Sequence, residues 1–200
     1  EYDPGTGRLT GIRDTLDSAI NSRLISIAYN ADGYIQSVTD FAGRQIVYDY
    51  YQTPDVGGDA GDLKSVTTPP IVGTPNGNDF PLGKTTIYTY SEGFADPRLN
   101  HNLLTITDPK GQTFLVNTYA ATLNPNNLQY DRLVSQQLGN PNELLTFSYD
   151  KQTPSVSNNF ATSVCYANDR VGNVEECFYD YRNRLAMKRR YTGRANPLLT

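Results

Sequence analysis

Hydrophobic and polar residues alternate one by one in several short stretches of the chain, notably residues 25–29, 86–90 and 145–149. A period of two residues is typical of a β-strand with one face packed and one face towards solvent. No comparable helical period is present, and residues 12–20 are the one stretch for which we expect a short turn of helix. The pattern therefore predicts an all-β chain.

A short motif recurs along the chain, consisting of a turn residue, any residue, Leu or Ile, two residues, and Val or Ile. It begins at Gly7, Gly33 and Gly61, and His101, Asp131 and Asn183 occupy the same place before later Leu residues. Gly, Asn, Asp and His are the residues that best tolerate a positive φ. The motif predicts a left-handed residue that opens each outgoing strand.

The spacing of these motifs is irregular. The turn positions follow one another at intervals of 26, 28, 40, 30 and 52 residues. Unequal intervals favour hairpins with loops of variable length over a solenoid with a fixed period. The last interval is twice the first, so we expect a degenerate unit at residues 158–160.

A second motif, Asp-x-x-Gly, supplies turns at Asp40 and Gly43, at Asp108 and Gly111, and at Asp169 and Gly172. Asp first and Gly fourth are typical of a type I turn closed by a left-handed glycine, the three-residue hairpin loop with a bulge. This turn pairs the Asp with the residue four positions later, so it fixes the register of the two strands. Together the two motifs predict consecutive antiparallel hairpins.

The register can be written out for the first and third of these turns. It places Val38 opposite Ile46, Tyr34 opposite Tyr50, Val164 opposite Phe178, and Ala167 opposite Glu175. Most of these pairs set apolar or aromatic side chains together on one face, as a half-buried antiparallel sheet requires.

The same register sets Cys165 directly opposite Cys177. Opposed residues on adjacent strands have Cα atoms about 5.5 Å apart, which is within the range of a disulfide. Two free thiols packed as small apolar groups are the other interpretation, since cross-strand disulfides at hydrogen-bonded positions tend to be strained. Both remain open.

Composition agrees with strands and turns. The chain of 200 residues has 15 Tyr, 7 Phe, 16 Gly and 12 Pro, and no Trp. Aromatic residues favour strands, and Gly and Pro favour turns. We expect one hairpin array over residues 1–200, with variable loops at residues 52–82 and 122–127.

Charge and hydropathy argue against two classes of partner. The chain has 17 Lys and Arg against 21 Asp and Glu, a formal charge of −4. Nucleic-acid binding requires a basic surface, which this balance does not favour. We also expect no membrane span, because no apolar run reaches the roughly 20 residues that a helix needs to cross a bilayer.

Pairs of Tyr and Asp stand near the motifs described above: Tyr2-Asp3 before Gly7-Arg8-Leu9, Tyr130-Asp131-Arg132-Leu133, and Tyr179-Asp180 before Asn183-Arg184-Leu185. Together they resemble the Rhs/YD-repeat family of bacterial Rhs and wall-associated toxins, insecticidal toxin-complex shell subunits and teneurins. The resemblance implies a curved, spiralling sheet of hairpins that forms part of a shell around a toxin or other cargo. It also implies an exported parent protein, secreted or at the cell surface.

Some activities of that family are not expected here. Its bacterial members carry two close Asp-Pro-x-Gly boxes that cleave the chain, whereas this chain has a single box, at Asp108. His101 is the only histidine and occupies a turn position. We therefore expect no catalytic residue, no cofactor and no metal site, although Asp55, Asp59 and Asp62 form a Gly/Asp-rich stretch that could offer oxygens to calcium.

Three classes of function follow from these observations. The first is a non-catalytic structural segment of a shell, whose partners are the rest of the parent polypeptide, its cargo and copies that pair through exposed edge strands. The second is a cell-surface adhesion or carbohydrate-binding module that uses the many aromatic side chains. The third, an enzyme, has the least support.

Overall fold

The structure is a computed structural model that describes residues 1–14, 23–139 and 143–193. These residues form thirteen β-strands and two single-turn 3-10 helices, at Pro97–Leu99 and Val156–Asn158. The strands are β1 Gly11–Arg13, β2 Leu24–Tyr29, β3 Ile35–Thr39, β4 Gln45–Tyr50, β5 Leu63–Thr67, β6 Thr85–Tyr90, β7 Leu103–Thr107, β8 Thr113–Tyr119, β9 Leu133–Leu138, β10 Leu144–Lys151, β11 Ser163–Asn168, β12 Val174–Tyr179 and β13 Leu185–Tyr191.

The strands follow one another across a single open antiparallel sheet in the order of the sequence, from β1 to β13. Each strand from β2 to β12 therefore pairs with the strand before it and the strand after it in the chain, and β1 and β13 are the edge strands of the described sheet. Such an order results when short turns connect antiparallel neighbours. The predicted all-β class of consecutive antiparallel hairpins is confirmed.

The chain divides into two compact units. The first unit comprises Glu1–Asn102 and Thr107–Gln112, and the second comprises Leu103–Ile106 and Thr113–Thr200. The tip of the β7–β8 hairpin thus belongs to the first unit, and the rest of that hairpin belongs to the second.

In the first unit the two faces of the sheet differ in polarity. Ile27, Val38 and Ile46 are neighbours on one face, across β2, β3 and β4. The opposite face carries polar neighbours at the positions between them, such as Ser26, Thr39 and Gln45. The pair Val38 and Ile46 is the one that the Asp40 turn predicts.

In the second unit the buried side chains lie where a loop covers the sheet. Ala161, from the loop between β10 and β11, is fully buried against Val164 and Phe178, and Tyr166 and Met187 pack around them. Val164 and Phe178 are opposite each other on β11 and β12, as predicted.

The first variable loop is more ordered than the sequence suggested. β5 lies within the predicted loop 52–82, and Ile71 and Phe80 form an isolated bridge. Tyr51 is buried at the start of this loop, and its hydroxyl donates to the carbonyl of Tyr88 at 2.8 Å. Packing under the loop thus overrides its Pro- and Gly-rich composition.

The remaining loop and helix predictions have separate outcomes. Residues 122–127 contain no strand. The predicted helical turn at residues 12–20 is wrong at its start, where β1 lies, and the rest falls outside the described residues except residue 14. Within the described residues, no helix has the length and apolar character required to span a membrane.

Candidate functional site

Six residues open outgoing strands, and all six have a positive φ in the structure. The values are 69° at Gly7, 90° at Gly33, 97° at Gly61, 67° at His101, 55° at Asp131 and 58° at Asn183. Asn159 and Phe160, where a degenerate unit is expected, also have positive φ, at 51° and 59°. Gly61 is required for a second reason, since a Cβ there would lie 2.6 Å from the hydroxyl of Tyr34.

The Asp-x-x-Gly turns are held by the Asp side chain. The Oδ1 atom of Asp40 accepts the backbone N–H groups of Ala42 and Arg44, each at 2.9 Å. The backbone N–H of Arg44, followed by its guanidinium group, lowers the pKa of Asp40. Asp40 is thus ionised when it closes the hairpin.

The other two Asp turns have the same geometry. Oδ1 of Asp108 accepts the N–H groups of Lys110 and Gln112, each at 2.9 Å, and Oδ1 of Asp169 accepts those of Val171 and Asn173, at 3.0 and 2.8 Å. The glycines Gly43, Gly111 and Gly172 have φ of 79°, 79° and 83°. Each turn fixes its own register.

Two strand openers belong to this same kind of turn, which the sequence analysis missed. Oδ1 of Asp180 accepts the N–H of Arg184 at 3.0 Å, and the N–H of Asn183 donates to the Asp180 carbonyl at 2.9 Å. At the other opener, Gly33, the backbone N–H donates to the carbonyl of Asn30 at 3.0 Å. The signal was an Asp or Asn three residues before each left-handed residue.

Strand opening produces a β-bulge beside a tyrosine. The register shifts next to Tyr29, Tyr50, Tyr119 and Tyr179, which lie opposite Ile35, Leu63, Leu133 and Leu185, respectively. A bulge sets two residues opposite one and leaves backbone groups without a ladder partner. The Leu or Ile of each motif therefore needs another donor for its carbonyl.

A tyrosine hydroxyl from the following strand supplies that donor in three units. The hydroxyl of Tyr29 donates to Leu9 O at 2.8 Å, that of Tyr50 to Ile35 O at 2.9 Å, and that of Tyr149 to Leu133 O at 2.8 Å. At Leu103 the side-chain amide of Asn117 donates instead, at 2.9 Å. In these three units the tyrosine ties its strand to the opening of the strand before it, and at Ile35 and Leu133 that opening is a β-bulge.

The rings of these tyrosines are covered by the residue between the opener and the Leu or Ile. The guanidinium of Arg8 lies 5.3 Å from the Tyr29 ring centroid, and that of Arg132 lies 4.8 Å from the Tyr149 centroid. Tyr34 occupies the same place and stacks on Tyr50, with 4.9 Å between centroids. A sugar would have to displace these groups to stack on the covered faces.

Cys165 and Cys177 lie directly opposite each other on β11 and β12, and both are free thiols in the structure. Burial raises the pKa of Cys165 to about 11, and burial also raises the pKa of Cys177. Because nucleophilic attack requires the thiolate, both thiols are poor nucleophiles at neutral pH.

A groove of about 430 Å³ lies beside Cys165 in the second unit, lined in part by Tyr149, Tyr179 and Arg132. Burial raises the pKa of both tyrosines, so their hydroxyls are protonated at neutral pH. The groove holds no histidine, since the sole histidine of the chain is His101.

His101 contacts two of the aspartates of the Gly/Asp-rich loop. Its Nδ1 atom lies 2.8 Å from Oδ1 of Asp62, and its Nε2 atom lies 4.0 Å from Oδ2 of Asp59. The third aspartate, Asp55, forms an ion pair with Lys64 at 2.9 Å. The imidazole therefore holds the Gly/Asp-rich loop through its carboxylates. Among the described residues, none of its polar contacts is a nucleophile.

The sequence did not predict the contact between His101 and this loop. The residues concerned are about 40 positions apart, and no local spacing connects them. Within the described residues, no group of three or more His, Cys, Asp or Glu side chains is arranged to hold a metal ion.

Comparison of the chain with protein-family models and with curated proteins gave no match.

Proposed function

We propose that the chain is a non-catalytic structural segment of a β-sheet wall, of the Rhs/YD-repeat type, that encloses a toxin or other cargo in a larger exported protein. The observation that carries the proposal is the repeated unit of left-handed opener, bulge and tyrosine hydroxyl. Units of this kind recur along a sheet whose strands follow the order of the chain, and such an arrangement extends a sheet into a wall.

The small amount of buried apolar side chain supports a wall over an independent binding domain. Among the described residues only six hydrophobic side chains are buried, namely Tyr51, Leu99, Ala161, Val164, Val174 and Phe178. Many strand residues, including Ile12, Ile87 and Phe114, remain exposed. Stability must therefore come largely from strand pairing and from the side-chain hydrogen bonds at turns and bulges.

The chemistry of the candidate groups supports a non-catalytic role. Catalysis requires a nucleophile or base within reach of a group that activates it. Cys165 has a raised pKa. Among the described residues the polar partners of the His101 side chain are the carboxylates of Asp62 and Asp59, so this base has no Ser, Thr or Cys side chain within reach to activate. The adhesion alternative has weaker support, because cations or a second ring cover the tyrosines of the repeated unit.

The test is limited proteolysis of the full-length polypeptide that contains this sheet. We expect the enclosed segment to resist protease in the unmodified protein and in the control Val171→Ala, which changes a side chain that is 63% exposed. Val164→Ala removes fully buried atoms, so we expect the segment to be cut about tenfold faster. Circular dichroism must show that the sheet of each variant remains folded.

Equal cleavage of the segment in all three proteins would contradict enclosure. Saturable binding of a glycan by the isolated chain, lost when exposed aromatic residues are changed to alanine, would favour the adhesion module instead.

A further inference from the structure

β13 is the last strand in the described part of the sheet, and within the described residues one of its edges carries no neighbouring strand. The carbonyl of Tyr179 accepts the N–H of Thr162, directly before β11, at 2.8 Å. Because backbone groups alternate in direction along a strand, Phe178 and Glu176 on β12 point theirs towards β13. Their partners on β13 are Met187 and Arg189. By alternation, the outward backbone groups of β13 belong to Ala186, Lys188 and Arg190.

The start of β13 repeats the start of β9. Leu185 and Leu133 each follow a left-handed residue by two positions, and each lies opposite a bulge tyrosine. On β9 the next strand brings the hydroxyl of Tyr149 to the Leu133 carbonyl, under the guanidinium of Arg132. At β13 Arg184 occupies the place of Arg132, but within the described residues no tyrosine hydroxyl reaches Leu185.

We propose that the free edge of β13 binds an antiparallel strand from another hairpin of the same repeat type. The incoming strand places a tyrosine opposite Arg184, and the tyrosine hydroxyl donates to the Leu185 carbonyl. This inference rests on the proposed wall function, since it names the kind of partner that extends the wall. The geometry is defined by the three carbonyls of the chain that already accept a tyrosine hydroxyl from the next strand, at Leu9, Ile35 and Leu133.

A side chain already occupies one of the outward carbonyls. The side-chain amide of Asn159 donates to the carbonyl of Ala186 at 2.7 Å. The same loop is held from β13 by Arg189, whose guanidinium donates to the Ser157 carbonyl at 2.7 Å. An added strand needs the Ala186 carbonyl as the acceptor for its own N–H. The side-chain amide of Asn159 must therefore leave this carbonyl before a strand can bind.

Charge selects among incoming strands. Lys188, Arg189 and Arg190 give β13 a basic run, which the carboxylates of Glu175 and Glu176 on β12 neutralise in part. A second β13 would set like charges against this run, which is unfavourable. A strand such as β10 is better suited. In the register that places Tyr149 opposite Arg184, Glu143 lies opposite Arg190. The edge therefore favours a tyrosine-bearing strand with an acidic residue over a second copy of itself.

The experiment adds a peptide of residues 143–151 to the full 200-residue chain. Fluorescence anisotropy of the labelled peptide measures binding, and hydrogen exchange locates it. We expect the outward N–H groups of Lys188 and Arg190 to exchange more slowly with peptide present. A Tyr149→Phe version of the peptide should bind about three- to tenfold more weakly, since it lacks one hydroxyl hydrogen bond.

Two variants of the chain sharpen the test. Asn159→Gly removes the amide that occupies Ala186 and keeps a residue that accepts positive φ, so the peptide should bind about threefold or more tightly. Lys188→Pro removes an outward N–H and the ion pair of Lys188 with Glu175 but leaves the backbone hydrogen bonds to β12 in place. It should therefore abolish peptide binding while circular dichroism stays unchanged.

The outcomes separate the inference from the proposed function. Protection of Lys188 and Arg190 that depends on the tyrosine supports the inference. Protection that is equal for both peptides overturns the tyrosine requirement and leaves the wall intact as a proposal. Absence of protection at both residues overturns β13 as the docking edge. The proposed wall function is tested separately, by proteolysis of the full-length polypeptide.

Discussion

Tyr149→Phe tests whether the tyrosine hydroxyl anchors each strand to the bulge before it. The change removes only the oxygen that donates to Leu133 at 2.8 Å. A phenylalanine ring can still pack beneath Arg132, so the loss is confined to the contacts of the hydroxyl, which are its hydrogen bond to the partly buried Leu133 carbonyl and its hydrogen bond with the Cys165 thiol. We expect the free energy of unfolding to fall by about 1–2 kcal/mol.

The matched control is Tyr181→Phe. Tyr181 is 72% exposed, and within the described residues its hydroxyl makes no hydrogen bond. Substitutions at such exposed sites usually change the free energy of unfolding by less than about 0.5 kcal/mol. Urea titration of both variants, followed by circular dichroism, measures the difference. Equal midpoints for the two variants would refute the anchoring argument.

The pH dependence of stability gives a second measurement on the same pair. Burial raises the pKa of Tyr149 above its ordinary value of 10.0, so the folded state favours the neutral hydroxyl. This contribution is fully present below pH 10 and is lost as the pH rises above 10. The unmodified protein should therefore lose stability in that range more steeply than Tyr149→Phe. Tyr181→Phe should follow the unmodified protein, and equal slopes for all three would contradict the argument.

Three further predictions concern the turns, the core and the thiols. Gly43→Ala should lower the free energy of unfolding by roughly 1–2 kcal/mol, because φ is 79° there, whereas Gly5→Ala, at a glycine without positive φ, should be nearly neutral in the same urea titration. Val164→Ala should cost about 1–3 kcal/mol and Val171→Ala less than about 0.5, so equal costs would disprove a packed core at Val164. At pH 8, Cys165 should react with iodoacetamide about 100-fold more slowly than an ordinary thiol, because its pKa is about 11 against 9.0, and mass spectrometry of the alkylated peptides would reveal a faster reaction.

The turns and registers were predictable because their causes are local. An Asp four residues before its hydrogen-bond donor and a Gly in the left-handed position specify the loop, and the loop specifies the pairs. The pairs Val38 with Ile46 and Cys165 with Cys177 follow from this alone, and the structure has both. The curvature and spiral of the sheet remain predictions.

The bulges and tyrosine contacts were not predictable by the same means. The hydroxyl of Tyr149 meets a carbonyl 16 residues earlier, and only the register of β9 against both neighbours places them together. The Asp180 turn does not match the Asp-x-x-Gly motif, because Asn183, with φ of 58°, stands where that motif has glycine. The contact of His101 with Asp62 depends on how the loop folds, which no spacing in the sequence encodes.

The side-chain-closed turns have a consequence for how this chain tolerates change in length. Each carboxylate or amide at a turn sets the alignment of its own two strands, without reference to the hairpins on either side. Asp3 closes a loop one residue longer than that of Asn30, and the strand after each still opens on a left-handed glycine. An insertion at one hairpin tip is thereby absorbed where it occurs, and every other strand keeps its alignment.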